Sequence, residues 1–137
     1  MPDLIPLLNS GSSANRVDIV IVAEGYTQAE RAKFITDANT FLKTFLGSEN
    51  ARLNAPFSNY QGFFNANALF FASAQSGTDQ PNNGTYVNTY FSASQHGSDG
   101  RLLYGDSGLV WSEVEKALPS DAHELVIVLV NTPLYGG

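Results

Sequence analysis

Val17-Asp18-Ile19-Val20-Ile21-Val22-Ala23 is a nearly unbroken β-branched run that stops in Glu24-Gly25-Tyr26-Thr27. Its counterpart, Leu125-Val126-Ile127-Val128-Leu129-Val130, stops in Asn131-Thr132-Pro133. A run that is apolar at every position has no solvent face, so both read as strands covered on two sides, as in a mostly parallel sheet flanked by helices. Between them, Thr27-Gln28-Ala29-Glu30 is a capping box, with Thr27 as N-cap and Glu30 reaching back to its amide. The helix it opens places Ile35, Ala38, Leu42 and Phe45 on one stripe, and Gly47 supplies a stop. The fold class expected is α/β: a mostly parallel or mixed sheet flanked by helices.

Working outward, residues 9–15 are polar and glycine-containing, and residues 1–15 as a whole read as a flexible lead-in. Ala55-Pro56-Phe57 starts a turn or short helix, and residues 64–72 form a further strand with Phe70 and Phe71 at its buried end. Residues 73–84, rich in Ser, Gly, Asn, Asp and Pro, read as a surface loop. Residues 86–91 alternate aromatic and small polar side chains, as an edge strand or hairpin arm does, and Asp99-Gly100 marks a turn before Arg101-Leu102-Leu103-Tyr104. Asp106 or Ser107 then caps a second helix whose inner face carries Val110, Val114, Ala117 and Leu118, with Pro119 as its stop. No repeat or linker divides the chain, so residues 1–137 read as a single domain or a large piece of one.

Composition narrows the function. A net charge of −6, with seven Lys and Arg scattered singly, provides no basic patch for nucleic acid or an anionic membrane. Cysteine is absent, which removes disulfides, thiolate nucleophiles and Cys-ligated zinc. Asp3 stands where a signal peptide needs basic residues, and no apolar run approaches the roughly 18 residues that cross a bilayer.

Candidate chemistry is sparse. Glu24-Gly25-Tyr26-Thr27 lies where doubly wound folds bind ligands, yet one glycine is no dinucleotide fingerprint, and a tight turn before a capped helix explains it. Gly105-Asp106-Ser107-Gly108 resembles a serine-protease nucleophile loop until Leu109 breaks the pattern, so Ser107 reads as a helix-start residue. His96 and His123 are the only histidines. Ile127 stands where a His-Glu-x-x-His motif opened by His123 would need its second ligand, leaving His123 at a strand edge and His96 in a loop beside Gly97. No catalytic, cofactor-binding or metal-ligating residue is assigned from the sequence. The loop of residues 73–83 either shapes a substrate cleft or covers a sheet edge.

In order and spacing the landmarks resemble the M64 metallopeptidases, the IgA peptidase family. The matching pieces are Asn15-Arg16-Val17-Asp18-Ile19-Val20 with Glu24-Gly25-Tyr26-Thr27, Ala74-Gln75-Ser76-Gly77-Thr78-Asp79-Gln80-Pro81, Arg101-Leu102-Leu103-Tyr104-Gly105-Asp106, and Val128-Leu129-Val130-Asn131 with Tyr135-Gly136-Gly137. The resemblance implies a zincin-like α/β fold, hydrolysis of protein or peptide substrates by a zinc-activated water, and an extracellular or cell-surface bacterial protein. It also implies a His-Glu-x-x-His helix downstream of the Tyr-Gly-Gly segment, so zinc belongs to the complete domain and no ligand falls on this chain. The chain is then expected to be the N-terminal part of a catalytic domain, inactive alone, or a remnant. The competing readings are a non-catalytic α/β binding module and an unrelated doubly wound hydrolase or ligand-binding domain.

Overall fold

The computed structural model describes residues 1–48 and 51–135. Gly136 and Gly137, which end the last matching piece, lie outside the described residues. Four strands form a mixed sheet in the order β1-β3-β2-β6, where β1 is Asp3–Leu8, β2 is Val17–Glu24, β3 is Phe64–Phe70 and β6 is Leu125–Val130. β2 runs parallel to both neighbours, with Ile19 opposite Ala66 on one side and Leu125 on the other, while β1 is antiparallel to β3. A separate hairpin pairs β4, Ser94–His96, with β5, Leu102–Tyr104, across the Asp99-Gly100 turn.

Strand alternation explains why β2 needs an apolar residue at nearly every position. Ile19, Ile21 and Ala23 face α1, Arg31–Leu46, and meet Phe34, Ala38, Leu42 and Leu46. Val20 and Val22 face the other way, onto Val110, Val114 and Leu118 of the α3 layer, where α3 is Ser107–Ala117. The domain is therefore helix, sheet, helix, with two hydrophobic cores divided by β2 and β3.

Four expectations need correction. Residues 3–8 are not a flexible lead-in, because β1 pairs along β3; Leu4-Ile5-Pro6-Leu7-Leu8 is too short to signal a strand by itself and gains its order from the partner. The buried stripe of α1 is centred on Phe34 and Leu46, while Ile35 and Phe45 flank it half-buried. Residues 86–91 form no strand; Phe91 is instead drawn into the core, and strand pairing begins at Ser94, which puts His96 on β4 rather than in a loop. Finally, β6 is not covered on two sides: it lies at the sheet edge, with Leu125 exposed and the rest of the strand only partly buried. The helix starts do follow the sequence: Glu30 Oε2 accepts from the Thr27 amide at 2.9 Å, and Asp106 Oδ1 accepts from the Leu109 amide at 2.9 Å. A short 3₁₀ turn, Gln28–Glu30, precedes α1, and the four-residue α2, Ala51–Asn54, follows it.

Candidate functional site

β2 and β6 point the same way, so their carboxyl ends deliver Glu24-Gly25-Tyr26 and Asn131-Thr132 to one edge, where open α/β sheets place their ligands. The loop of residues 73–83 closes onto that edge. Ser73 donates its amide to Tyr26 O at 2.8 Å, its hydroxyl accepts from the Gly25 amide at 3.1 Å, and Gly77 N–H reaches Gly25 O at 2.9 Å. Gly25 has φ +75°, and a Cβ there would stand 2.0 Å from Gly77 O. Only glycine allows this contact. The loop is thus not a surface loop throughout: Ser73 and Thr78 are buried, and Thr78 donates its hydroxyl to Ala93 O at 2.8 Å.

Asn131 ties the edge together. Its amide nitrogen donates to Gly25 O at 3.0 Å and Ser76 Oγ at 3.1 Å, and its carbonyl accepts from Lys33 Nζ at 2.9 Å. Lys33 also bridges to Asp37, whose carboxylate accepts from the Tyr26 hydroxyl at 2.9 Å. Burial and the Asp37 hydrogen bond push the Tyr26 phenol well above its ordinary value, so it stays protonated and acts as a donor. Glu30 is held below the usual carboxylate range, chiefly by the Thr27 amide, with Ser76 and Asn131 adding to it.

Among the described residues, Glu24 is the fully buried carboxyl at this edge. Its Oε2 accepts from Phe91 N–H at 2.5 Å, while Oε1 has no hydrogen-bond partner among the described residues. Burial raises its pKa, against the opposing pull of Thr89 and the Phe91 and Ala93 amides. Its role is to fasten residues 89–93, a segment containing Ser92 at φ +55°.

The other residues weighed from the sequence do not join this edge as reactive groups. Ser107 is the first residue of α3, capped by Asp106. His96 is exposed and packs edge-on against Tyr104 at 5.5 Å. His123 engages Pro119 O through Nδ1 at 2.8 Å, just before β6. Zinc sites in hydrolases take three protein ligands. Among the described residues no three His, Asp or Glu side chains gather around one point, so these residues do not fit such a site. Arg16, in the first matching piece, serves the opposite end of the sheet, donating to Gly62 O at 3.0 Å and Asn15 Oδ1 at 2.7 Å.

Sequence reasoning missed Gln95. It is 1% exposed, and its Oε1 accepts from the Thr132 hydroxyl at 2.9 Å. Nothing in Ser94-Gln95-His96 marks it, because its burial comes from Asp79 across a loop pairing: Gln95 N–H donates to Asp79 O at 2.8 Å. Three pieces of the pattern noted in the sequence, residues 24–27, 74–81 and 128–131, converge on this edge although up to 107 positions separate them in the chain (131 − 24). No curated protein matches the chain. The family model described as IgA Peptidase M64 matches residues 5–137, and the chain belongs to that family.

Proposed function

We propose that this chain forms the sheet-bearing N-terminal portion of a zinc metallopeptidase catalytic domain that hydrolyses peptide bonds in protein or peptide substrates. The parent would be a secreted or surface-exposed bacterial protein. The observation that carries the reading is the family match along residues 5–137. The convergence of Glu24-Gly25-Tyr26, residues 73–78 and Asn131 at the carboxyl edge supports it, since that is where a substrate would approach.

The division of labour follows from the residues. This chain supplies a rigid sheet edge, with Asn131 and the loop at 73–78 fixing its shape. The zinc ligands and the carboxylate that serves the activated water are assigned to the His-Glu-x-x-His helix of the complete domain.

The test compares residues 1–137 with the same chain extended through a family His-Glu-x-x-His segment. Proteolysis of a denatured protein substrate, abolished by a chelator and restored by zinc, is expected only from the extended form. Chelator-sensitive cleavage by residues 1–137 alone would refute the assignment. An extended, folded, zinc-loaded chain that cleaves nothing would favour a non-catalytic α/β binding module.

A further inference from the structure

A cleft of about 210 Å³ opens beside the carboxyl end of β6, bounded by Gln80, Asn82, Asn83, Gln95, Asp99 and Leu134. Half of the residues that line it, Gln80, Asn82, Asn83 and Gln95, carry carboxamides. Two of these amides are already committed inside the wall: Asn82 Nδ2 donates to Gly97 O at 2.5 Å and Asn83 Nδ2 to Gln80 Oε1 at 2.8 Å. Gln95 is different. Its carbonyl oxygen is held by Thr132, yet its Nε2, fully buried, has no hydrogen-bond partner among the described residues. A buried donor without a partner costs about 1–3 kcal/mol, a cost that an acceptor reaching it through the cleft would relieve.

We propose that this cleft is a specificity subsite that takes a primary carboxamide side chain, glutamine or asparagine, from an extended peptide. The proposal rests on the peptidase reading above and names a feature of its substrate. Three chemical facts select the carboxamide. Its carbonyl gives Gln95 Nε2 the missing acceptor. Its NH₂ finds an acceptor in the Asp99 carboxylate at the rim, which already receives the Arg101 amide at 3.3 Å through Oδ1. Leu134, 45% exposed, offers an apolar wall to the methylene stem. The alternatives each leave a mismatch. A carboxylate faces Asp99 in a chain of net charge −6, an ammonium confronts a buried N–H donor, and an apolar side chain leaves Gln95 unpaired. The position also fits: Thr132 links the cleft floor directly to the end of β6, so a peptide lying along that edge passes its mouth.

The test is read on residues 1–137 by nuclear magnetic resonance of the Gln95 side-chain amide. Three capped tripeptides serve as probes, Ac-Ala-X-Ala-NHMe with X as glutamine, glutamate or leucine. The glutamine peptide is expected to shift the Gln95 NH₂ signals and to bind about tenfold more tightly than the other two, which corresponds to about 1.4 kcal/mol. Gln95→Met keeps the side-chain volume and removes the donor, and it should erase the preference. Should that variant unfold, Asp99→Ala, at an exposed rim position, should weaken glutamine binding about fivefold while leaving the fold intact. Equal affinity for the three peptides, or binding that survives in the variants, would each overturn the proposal. Because no catalysis is measured, these outcomes are independent of whether the extended chain proves to be a peptidase.

Discussion

Two carboxylates near the same turn have opposite relations to stability. Glu24 is buried and its pKa is raised above the ordinary 4.5 by desolvation, so folding favours its protonated form. Its contribution is fully present below pH 4.5 and is lost as pH rises through the folded value. Glu30 is lowered, first by the Thr27 amide, so its contribution is present above 4.5 and is lost as pH falls through its own folded value. Glu24→Gln keeps an acceptor for Phe91 N–H and replaces the unpartnered Oε1 with a donor. Urea titrations from pH 4 to 8 should show wild type losing stability relative to Glu24→Gln as pH rises, and a flat difference would contradict the burial effect. At the neighbouring position, Gly25→Ala meets both a left-handed backbone, costing about 1–2 kcal/mol, and direct overlap with Gly77 O. The variant should lose more than that amount in equilibrium denaturation. A loss under 1 kcal/mol, about the smallest backbone cost, would mean the turn and loop do not meet as described.

Elements inherit their faces from spacing, and spacing can be read one position out of phase. Ile35, Ala38, Leu42 and Phe45 have helical periodicity, but so do Phe34, Ala38, Leu42 and Leu46, and the second set is the buried one. Two large residues adjoin at each end of the helix, at 34–35 and 45–46, so the pattern alone fits either face; packing decides. Phe34 meets Tyr26 at 5.3 Å and Phe70 at 5.7 Å, whereas Phe45 turns toward Phe57 at 4.7 Å. Phe34→Ala should therefore cost about 3–5 kcal/mol, and Ile35→Ala clearly less. Equal losses would restore the other stripe. Similar reasoning shows why β2, β3, both long helices and the Asp99-Gly100 turn with its second arm were legible while β1 and the first arm of the hairpin were not. The former carry their own periodicity or caps, but β1 contains Pro6 and takes its order from pairing with β3. Residues 86–91 alternate like a strand, yet Glu24 captures the Phe91 amide and the core takes its ring.

At the scale of the whole molecule, the convergence of residues 24–27, 73–78 and 131 was only half visible. Parallel strands predict a shared edge, but not that Ser73 and Gly77 would close on Gly25, since loop docking leaves no periodic trace. The same geometry bears on metal binding. His96, on β4, packs against Tyr104 of β5, while His123 is hydrogen-bonded to Pro119 O before β6. Neither is carried by a helix, so they do not form the i, i+4 pair by which a His-Glu-x-x-His helix holds zinc. Calorimetric titration of residues 1–137 with zinc at neutral pH should therefore give only weak surface binding, and the double variant His96→Ala, His123→Ala should change it little. A single stoichiometric site tighter than about micromolar, equivalent to roughly 8 kcal/mol, would show that this chain carries metal ligands of its own. It would also move the expected active centre away from the edge that Gly25 and Asn131 define. Weak binding, paired with tight binding once a His-Glu-x-x-His helix is added, would place the metal where that helix meets this edge.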